Sequence, residues 1–283
     1  MTQPNSLQWS SPSDDPERHS GERAKQPLVR APAPATMISF PPSLDCELGR
    51  FLLSHYRVPY EERRHAFGFS IFPTLWHGFT LLFPLVYSDS YRLDTVRKMI
   101  DYFDPLCPAD RNLLLTAAER TSIEGDWTAF NSTLGGATAV FAYYHLLPHR
   151  KIMTGPLSEG TPSFEAFAVR WAYPIFATLL RILLRLTASR ATAALEQIRT
   201  VVKSVDERLA DGRRYLAGDR FSLSDMAFAV ALAPLVLPND YGAPLPALAE
   251  MPAAMQSVNA ELRARPAGRF ALRIYEDHRK GTP

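Results

Sequence analysis

The sequence predicts a chain in two parts, an α/β region over residues 36–104 and an all-helical region over residues 109–283. Three observations support this division. Strand-type runs alternate with a helical pattern in the first part, the composition shifts at residues 105–108, and apolar residues recur at helical spacing through the second part. Residues 1–35 come first, and their prolines and polar residues without an apolar period predict a disordered leader.

The first part opens with a strand, a turn, an amphipathic helix and a second strand over residues 36–61. Met37 and Phe40 are strand-type residues, and two prolines end their run because proline cannot donate a hydrogen bond to a sheet. Ser43 is suited to cap the following helix, on which apolar residues recur three or four positions apart. The first N–H groups of such a helix point outward and stabilise an anion, so the turn at Ser43 is a candidate binding site.

An apolar run over residues 67–87 follows the second strand. Its length would suit a membrane span, but four residues interrupt it and the flanking charges show no asymmetry that would orient one. The interrupting residues are Pro73, His77, Gly78 and Pro84. We therefore expect no span. A buried strand also reads as a continuous apolar run, so the sequence favours an irregular second helix followed by a central strand.

Helical periodicity dominates the second part of the chain. Helices are predicted over residues 110–129, 137–147, 164–186 with a kink at Pro174, 195–209 and 226–235, with a loop over residues 151–162. Ser222 and Asp225 match the pattern of a capping box, in which each residue satisfies a helix N–H group of the other. We interpret that motif as a folding element, not as part of a site.

Composition and spacing exclude several classes of protein. With 31 basic against 29 acidic residues and a net charge of +2, nothing indicates a nucleic-acid partner. Two cysteines exclude a disulfide scaffold and favour a reducing compartment, and the absence of a secretory signal predicts a cytoplasmic protein. His145 and His149 have a metal-ligand spacing, but Pro148 interrupts their helix, so we expect no metal site.

Three motifs in the same order resemble the glutathione S-transferase family of the serine type. The first is Ser43, with Cys46 three residues later and the amphipathic helix behind them. The second is Phe83-Pro84, followed by a strand and a helix start at Asp94-Thr95. The third is the segment 215–227, Tyr-Leu-Ala-Gly-Asp-Arg-Phe-Ser-Leu-Ser-Asp-Met-Ala. It is similar to the Tyr-Leu-x-Gly-x-x-Phe-Ser-x-Ala-Asp segment of that family's helical domain. The resemblance implies a thioredoxin-like N-terminal domain and an all-α C-terminal domain.

The resemblance also implies roles for these residues. The hydroxyl of Ser43 would contact the sulfur of bound glutathione, and Phe83-Pro84, with a cis bond, would pair with its cysteinyl backbone. Asp94-Thr95 would hold the γ-glutamyl end, in place of the Glu/Gln-Ser pair of the family. The shorter acid, the methylated hydroxyl and the apolar residues 81–83 before the proline are departures from that pattern.

Such a site would activate a thiol. A free thiol has a pKa of about 8.5 and is mostly protonated at neutral pH, whereas its thiolate is the nucleophile. A hydroxyl and a helix N-terminus at Ser43 would stabilise the thiolate. Ser43 could equally be only a helix cap, and Asp94-Thr95 could equally be only a helix cap with an acid in the first turn. Cys46 is either a packed residue or the nucleophile of a thiol-exchange enzyme.

The second substrate would meet aromatic residues of the helical part, which are either core or pocket residues. These are Tyr143, Tyr144, Trp171 and Tyr173. If they line a pocket, the predicted function is a glutathione transferase acting on a hydrophobic electrophile, with glutathione as co-substrate and no cofactor. The resemblance also implies a homodimer. The alternative is a protein that keeps the fold and binds a hydrophobic ligand or a partner without catalysis.

Overall fold

The computed structural model describes residues 34–114 and 116–279, without the side chain of residue 117. Of the predicted leader, residues 1–33 lie outside the described residues. Ala35, the last residue assigned to it, already belongs to the first strand.

Within the described residues, four strands form one sheet in the order β2-β1-β3-β4. The strands are β1 (Ala35–Ser39), β2 (Tyr60–Arg64), β3 (Leu85–Tyr87) and β4 (Arg92–Leu93). β1 pairs with β2 in parallel and with β3 antiparallel, and β3 pairs with β4 antiparallel. Three helices accompany the sheet: α1 (Leu44–His55), α2 (Ile71–Gly78) and α3 (Val96–Phe103). The expected cis peptide bond is present between Phe83 and Pro84.

Helices make up most of the rest of the chain. They are α4 (Ala117–Trp127), α5 (Gly135–Leu146), α6 (Arg150–Ser158), α7 (Ser163–Trp171), α8 (Tyr173–Leu183), α9 (Ala188–Leu209), α10 (Leu223–Val236), α11 (Ala253–Ala264) and α12 (Pro266–His278). A π-helical segment, Thr128–Leu134, joins α4 to α5 without a break. A small mixed sheet followed by helices confirms the predicted fold class.

Two local predictions were wrong. The predicted loop over residues 151–162 contains α6, because Met153, Pro156 and Leu157 pack into the core and tertiary burial overrides the local turn signal. The predicted helix over residues 164–186 is two helices, α7 and α8, which meet at an angle of 82°. Pro174 lies in the first turn of α8, a position where its missing N–H group costs no helix hydrogen bond.

The core is centred on α10, which packs against α5, α11, α12 and α1. The predicted capping box opens this helix: the carboxylate of Asp225 accepts the backbone N–H and the hydroxyl of Ser222, both at 2.7 Å. The same carboxylate accepts the N–H of Leu216 at 2.6 Å. Among the described helices, none alone is long and apolar enough to cross a bilayer, while α7 and α8 together meet that length and composition.

Candidate functional site

The turn between β1 and α1 carries Ser43 at the helix N-cap. Its backbone is extended, with φ −71° and ψ 130°, and its hydroxyl oxygen accepts the backbone N–H of Cys46 at 3.4 Å. The side chain of Ser43 is half-buried and lines a cleft of about 430 Å³. Ser43 is therefore a helix cap that also faces an open volume.

Four parts of the fold form this cleft: the Ser43 turn, the segment before Pro84, the π-helical segment with α5, and the end of α8. Phe40 and Phe83 form one wall, with their ring centroids 5.9 Å apart. Leu180, Leu183 and Leu184, at the end of α8, also line the cleft. The cleft is therefore mainly apolar, with the Ser43 hydroxyl among its few polar groups.

Cys46, the other predicted catalytic residue, is fully buried behind Ser43. Its sulfur accepts the backbone N–H of Phe40 at 3.4 Å. Burial raises the pKa of the Cys46 thiol to about 12, although Arg50 and the hydrogen bonds of Phe40 and Ser43 act in the opposite direction. A thiol in this environment stays protonated at neutral pH, so Cys46 has the properties of a packing residue.

The predicted pair Asp94-Thr95 starts α3 and is not among the residues that line the cleft. The hydroxyl of Thr95 accepts the N–H of Lys98 at 3.2 Å, and the carboxylate of Asp94 pairs with the ammonium of Lys98 at 2.7 Å. These contacts are those of a helix cap with an acid in front of it. In the described structure, both side chains are therefore engaged within α3.

Of the four aromatic residues predicted to form a pocket, Tyr143 lines the cleft. Burial raises the pKa of Tyr143, so its hydroxyl is a neutral hydrogen-bond donor. The structure does not place the other three in the lining. Tyr173 is buried and donates to the carbonyl of Leu147 at 2.8 Å, Tyr144 packs its ring against His145, and Trp171 is exposed on α7. Leucines of α8 supply the apolar wall instead.

The π-helical segment contributes two polar residues that the sequence analysis did not select, Asn131 and Ser132. Asn131 hydrogen-bonds the carboxylate of Asp45, which lies at the mouth of the cleft with part of its side chain in solvent. The surrounding protein raises the pKa of Asp45, and the bond from Asn131 lowers it in part. π-helical turns often mark functional sites, but spacing alone does not reveal them, so no sequence signal pointed to this wall.

A buried ionic network supports the Ser43 turn from behind. Arg50, which is 1% exposed, donates to the carboxylates of Glu62 at 2.8 Å and Glu47 at 3.2 Å, and to the carbonyl of Pro41 at 3.4 Å. Burial acts to lower the pKa of Arg50, but Glu62 and Glu47 raise it overall. Glu47 also accepts the N–H of Gly242 at 3.0 Å. The network therefore fixes the backbone in front of Ser43 and ties α1 to the helical part.

A wider cavity of about 940 Å³ adjoins the cleft between α5, the end of α8 and the start of α9. The two share five lining residues: Ser132, Gly136, Ala139, Leu183 and Leu184. Arg185 and Arg190 line the wider cavity. Among the described residues that line the cleft itself, none is basic, so cationic groups come from this neighbour.

A family model of the glutathione S-transferase C-terminal domain matches residues 188–265. A glutathione S-transferase from Sinorhizobium meliloti 1021 has a TM-score of 0.53 and 20% identity, over 85% of this chain and 93% of that one. One from Xanthobacter autotrophicus Py2 has a TM-score of 0.55 and 13% identity, over 85% and 92%. Glutathione S-transferase I from maize, in complex with an atrazine glutathione conjugate, has a TM-score of 0.51 and 15% identity, over 87% of this chain and 99% of that one.

No curated protein sequence matches the chain. At these identities the structural likeness establishes the fold, and the family model identifies the helical part. The resemblance of the three sequence motifs agrees with both. The chain therefore has the glutathione S-transferase fold, and residues 188–265 match the model of the C-terminal domain of that family.

Proposed function

We propose that this protein is a glutathione transferase that activates the thiol of glutathione for attack on a hydrophobic electrophile. The observation that carries the proposal is the position of Ser43, at the N-terminus of α1 and on the wall of an apolar cleft. The fold supports it, since one of the similar structures holds a conjugate of glutathione. Glutathione is consumed as a co-substrate, so the reaction needs no cofactor.

In the proposed reaction, the hydroxyl of Ser43 donates a hydrogen bond to the glutathione sulfur. That bond and the partial positive charge at the start of α1 favour the thiolate over the thiol, and the released proton passes to solvent. The thiolate forms a carbon–sulfur bond to the electrophilic carbon while the leaving group departs with its electron pair. Phe83 and the leucines of α8 exclude water and hold the apolar part of the second substrate.

The test compares Ser43→Ala with wild type in conjugation of glutathione to a generic aryl halide. We expect kcat/KM to fall about 100-fold, the scale of losing one preorganised donor, and the pH profile to move to higher pH. The matched control is Thr187→Ala, which removes another N-cap hydroxyl, on α9. Each variant should lose about 1 kcal/mol of stability, but only Ser43→Ala should lose activity.

Two outcomes would overturn the proposal. One is a wild-type protein that binds no glutathione by calorimetry and conjugates none of a broad panel of electrophiles. The other is a Ser43→Ala variant with the activity and pH profile of the Thr187→Ala control, which would leave Ser43 as a cap alone.

The second candidate function is a binding protein without catalysis. It is favoured by the contacts of Asp94 and Thr95 with Lys98 and by the absence of basic residues among the described residues of the cleft lining. Both features leave the carboxylates of glutathione with few partners near the cleft. Tight binding of a hydrophobic ligand that is unchanged by glutathione would support this function.

The raised pKa of Cys46 opposes the thiol-exchange alternative, which predicts loss of activity in Cys46→Ser but not in Ser43→Ala.

The family resemblance also implies a homodimer in the cytoplasm, and we keep both as parts of the proposal. Light scattering of the purified protein measures its mass in solution. A monomer at micromolar concentration would remove the dimer from the proposal and leave the reaction at Ser43 untouched.

A further inference from the structure

Exposed large apolar side chains are concentrated on one surface, formed by residues 71–82 and 164–183, which we call the apolar face. In the described chain, all such side chains except Leu106 and Leu248 belong to it. Trp76 is 81% exposed, Phe79 87% and Trp171 77%. Each such ring leaves roughly 100–200 Å² in solvent, so the face exceeds the few hundred Å² that monomeric proteins normally expose.

Contacts between the segment just before α2 and helices α7 and α8 bring the two parts of this face together. The ring of Phe69, just before α2, lies 5.8 Å from the ring of Phe164 and 6.4 Å from that of Phe176. The carboxylate of Glu165 on α7 accepts the backbone N–H of Ala66 at 2.7 Å and lies 2.8 Å from Nδ1 of His65. The two apolar segments are therefore held together as one surface.

Charged side chains exposed within the two segments of the face have a single sign. Residues 66–88 contain no Asp, Glu, Lys or Arg. Between residues 163 and 190 the only acid is Glu165, which is buried in the contacts just described. Arg170 on α7, Arg181 on α8 and Arg185 just after α8 are exposed. The face is thus an apolar and aromatic surface with a cationic rim.

We propose that the apolar face docks the protein on the surface of an anionic lipid bilayer. In this arrangement α2 and α7–α8 lie in the interface, with tryptophan and phenylalanine rings among the acyl chains and the arginines on the lipid phosphates. Amphipathic helices with aromatic apolar faces and basic rims bind membranes in this way. The 82° bend between α7 and α8 gives one broad face instead of a single span.

The charge pattern favours lipid over a second copy of the chain. A symmetric dimer through this face would bring arginine rims together with no acid of the face to pair them. Residues 1–33 have few apolar side chains that could pack on the apolar face. Their large apolar residues are only Met1, Leu7, Trp9, Leu28 and Val29. An anionic bilayer supplies both the apolar volume and the negative charge.

Leu183 belongs both to the apolar face and to the wall of the cleft. If the proposed transferase function holds, an electrophile dissolved in the bilayer would reach the cleft from this side. That consequence rests on the proposed function, whereas docking itself is measured without glutathione. Failure of either one is therefore distinguishable from failure of the other.

The main test is flotation of the full chain with vesicles of phosphatidylcholine, with and without phosphatidylglycerol. We expect the wild type to float with the anionic vesicles and less with the neutral ones or at high salt. Trp76→Glu combined with Trp171→Glu should lower the partition coefficient at least about tenfold. The matched control, Leu106→Glu combined with Leu248→Glu, changes two exposed apolar residues outside the face and should float as the wild type does.

A charge variant and a conservative variant complete the test. Arg170→Gln with Arg181→Gln should reduce the preference for anionic vesicles, whereas Arg120→Gln with Lys203→Gln, on α4 and α9, should not. In the wild type, brominated acyl chains should quench the fluorescence of Trp76 and Trp171, and Trp76→Phe combined with Trp171→Phe should lose that quenching and still bind.

Three results would overturn the proposal. The wild type could stay unbound on both vesicle types, or the Trp76→Glu and Trp171→Glu variant could bind as the wild type does. The third is a dimer in solution that this variant converts to a monomer, with no vesicle binding, which would assign the face to a second copy.

Discussion

Helices α8 and α10 have similar apolar compositions but opposite environments. In α10 every residue except Pro234 is buried. In α8 only Tyr173, Ala177 and Leu180 are buried, while Ile175 and Ile182 are each 68% exposed. α10 carries no polar face that would mark a side for water, and α8 carries only Thr178 and Arg181, three residues apart. An apolar composition therefore indicates that a helix favours an apolar environment. Whether the helix is buried within the protein or exposed on its surface depends on the neighbouring elements.

The two helices also begin differently. The buried start of α10 is closed by the Ser222–Asp225 capping box, so its N–H groups have partners inside the protein. α8 starts at the bend after α7 without a side-chain cap, and Pro174 in its first turn reduces the number of N–H groups that need one. A helix end in the core needs polar partners, whereas an end at the surface can use water.

The largest expected effect comes from the same truncation in both helices. Leu232→Ala in α10 removes a side chain with no exposure and should lower the free energy of unfolding by about 2–5 kcal/mol. Leu179→Ala in α8 removes a side chain that is 48% exposed and should change it by less than about 0.5 kcal/mol. Urea unfolding followed by circular dichroism measures both. Equal losses would show that α8 is covered in solution by something that the chain itself provides.

A smaller effect is expected at the capping boxes. Asp225→Asn replaces one acceptor oxygen by an amide, which faces the buried donors of Leu216 and Ser222, and should cost about 2–3 kcal/mol. The control is Glu119→Gln in the exposed capping box of α4, where water can take over the lost hydrogen bond with Thr116. Urea unfolding at neutral pH should therefore show a much smaller loss for Glu119→Gln. Similar losses in the two variants would mean that burial does not set the strength of these boxes.

The same contrast explains which parts of the fold could be predicted from the sequence. The order of strands and helices, the capping box and the turn at Ser43 are local patterns, and each was predicted from residues within a few positions of one another. The bend at Ala172 and α6 depend on packing against distant elements, so local signals at Pro174 and Pro156 were misread as a kink and a loop.

The site shows the same limit. The position of Ser43 follows from its own turn, and Tyr143, for which the sequence left core and pocket both open, lines the cleft. The meeting of Asp45 with Asn131, and the exposure of Trp171, depend on how α1, the π-helical segment and α7 pack. The spacing of residues within one segment cannot predict such contacts between distant segments. The irregular second helix and the central strand predicted over residues 67–87 are present as α2 and β3, whereas the exposure of residues 71–82 depends on neighbouring elements and was not predicted.

The smallest expected effect is a pH dependence at the entrance to α10. The ring of His278 stacks on Phe221 at 3.9 Å, and burial lowers the pKa of His278 to about 4. Because the unfolded value is about 6.5, the folded state resists protonation, so the free energy of unfolding should fall by about 1 kcal/mol as the pH drops from 6.5 to 4, after allowance for solvent screening. Urea unfolding of His278→Gln should lack this part of the decrease, while Leu179→Ala should keep it. Parallel curves for wild type and His278→Gln would instead assign the acid sensitivity to another group.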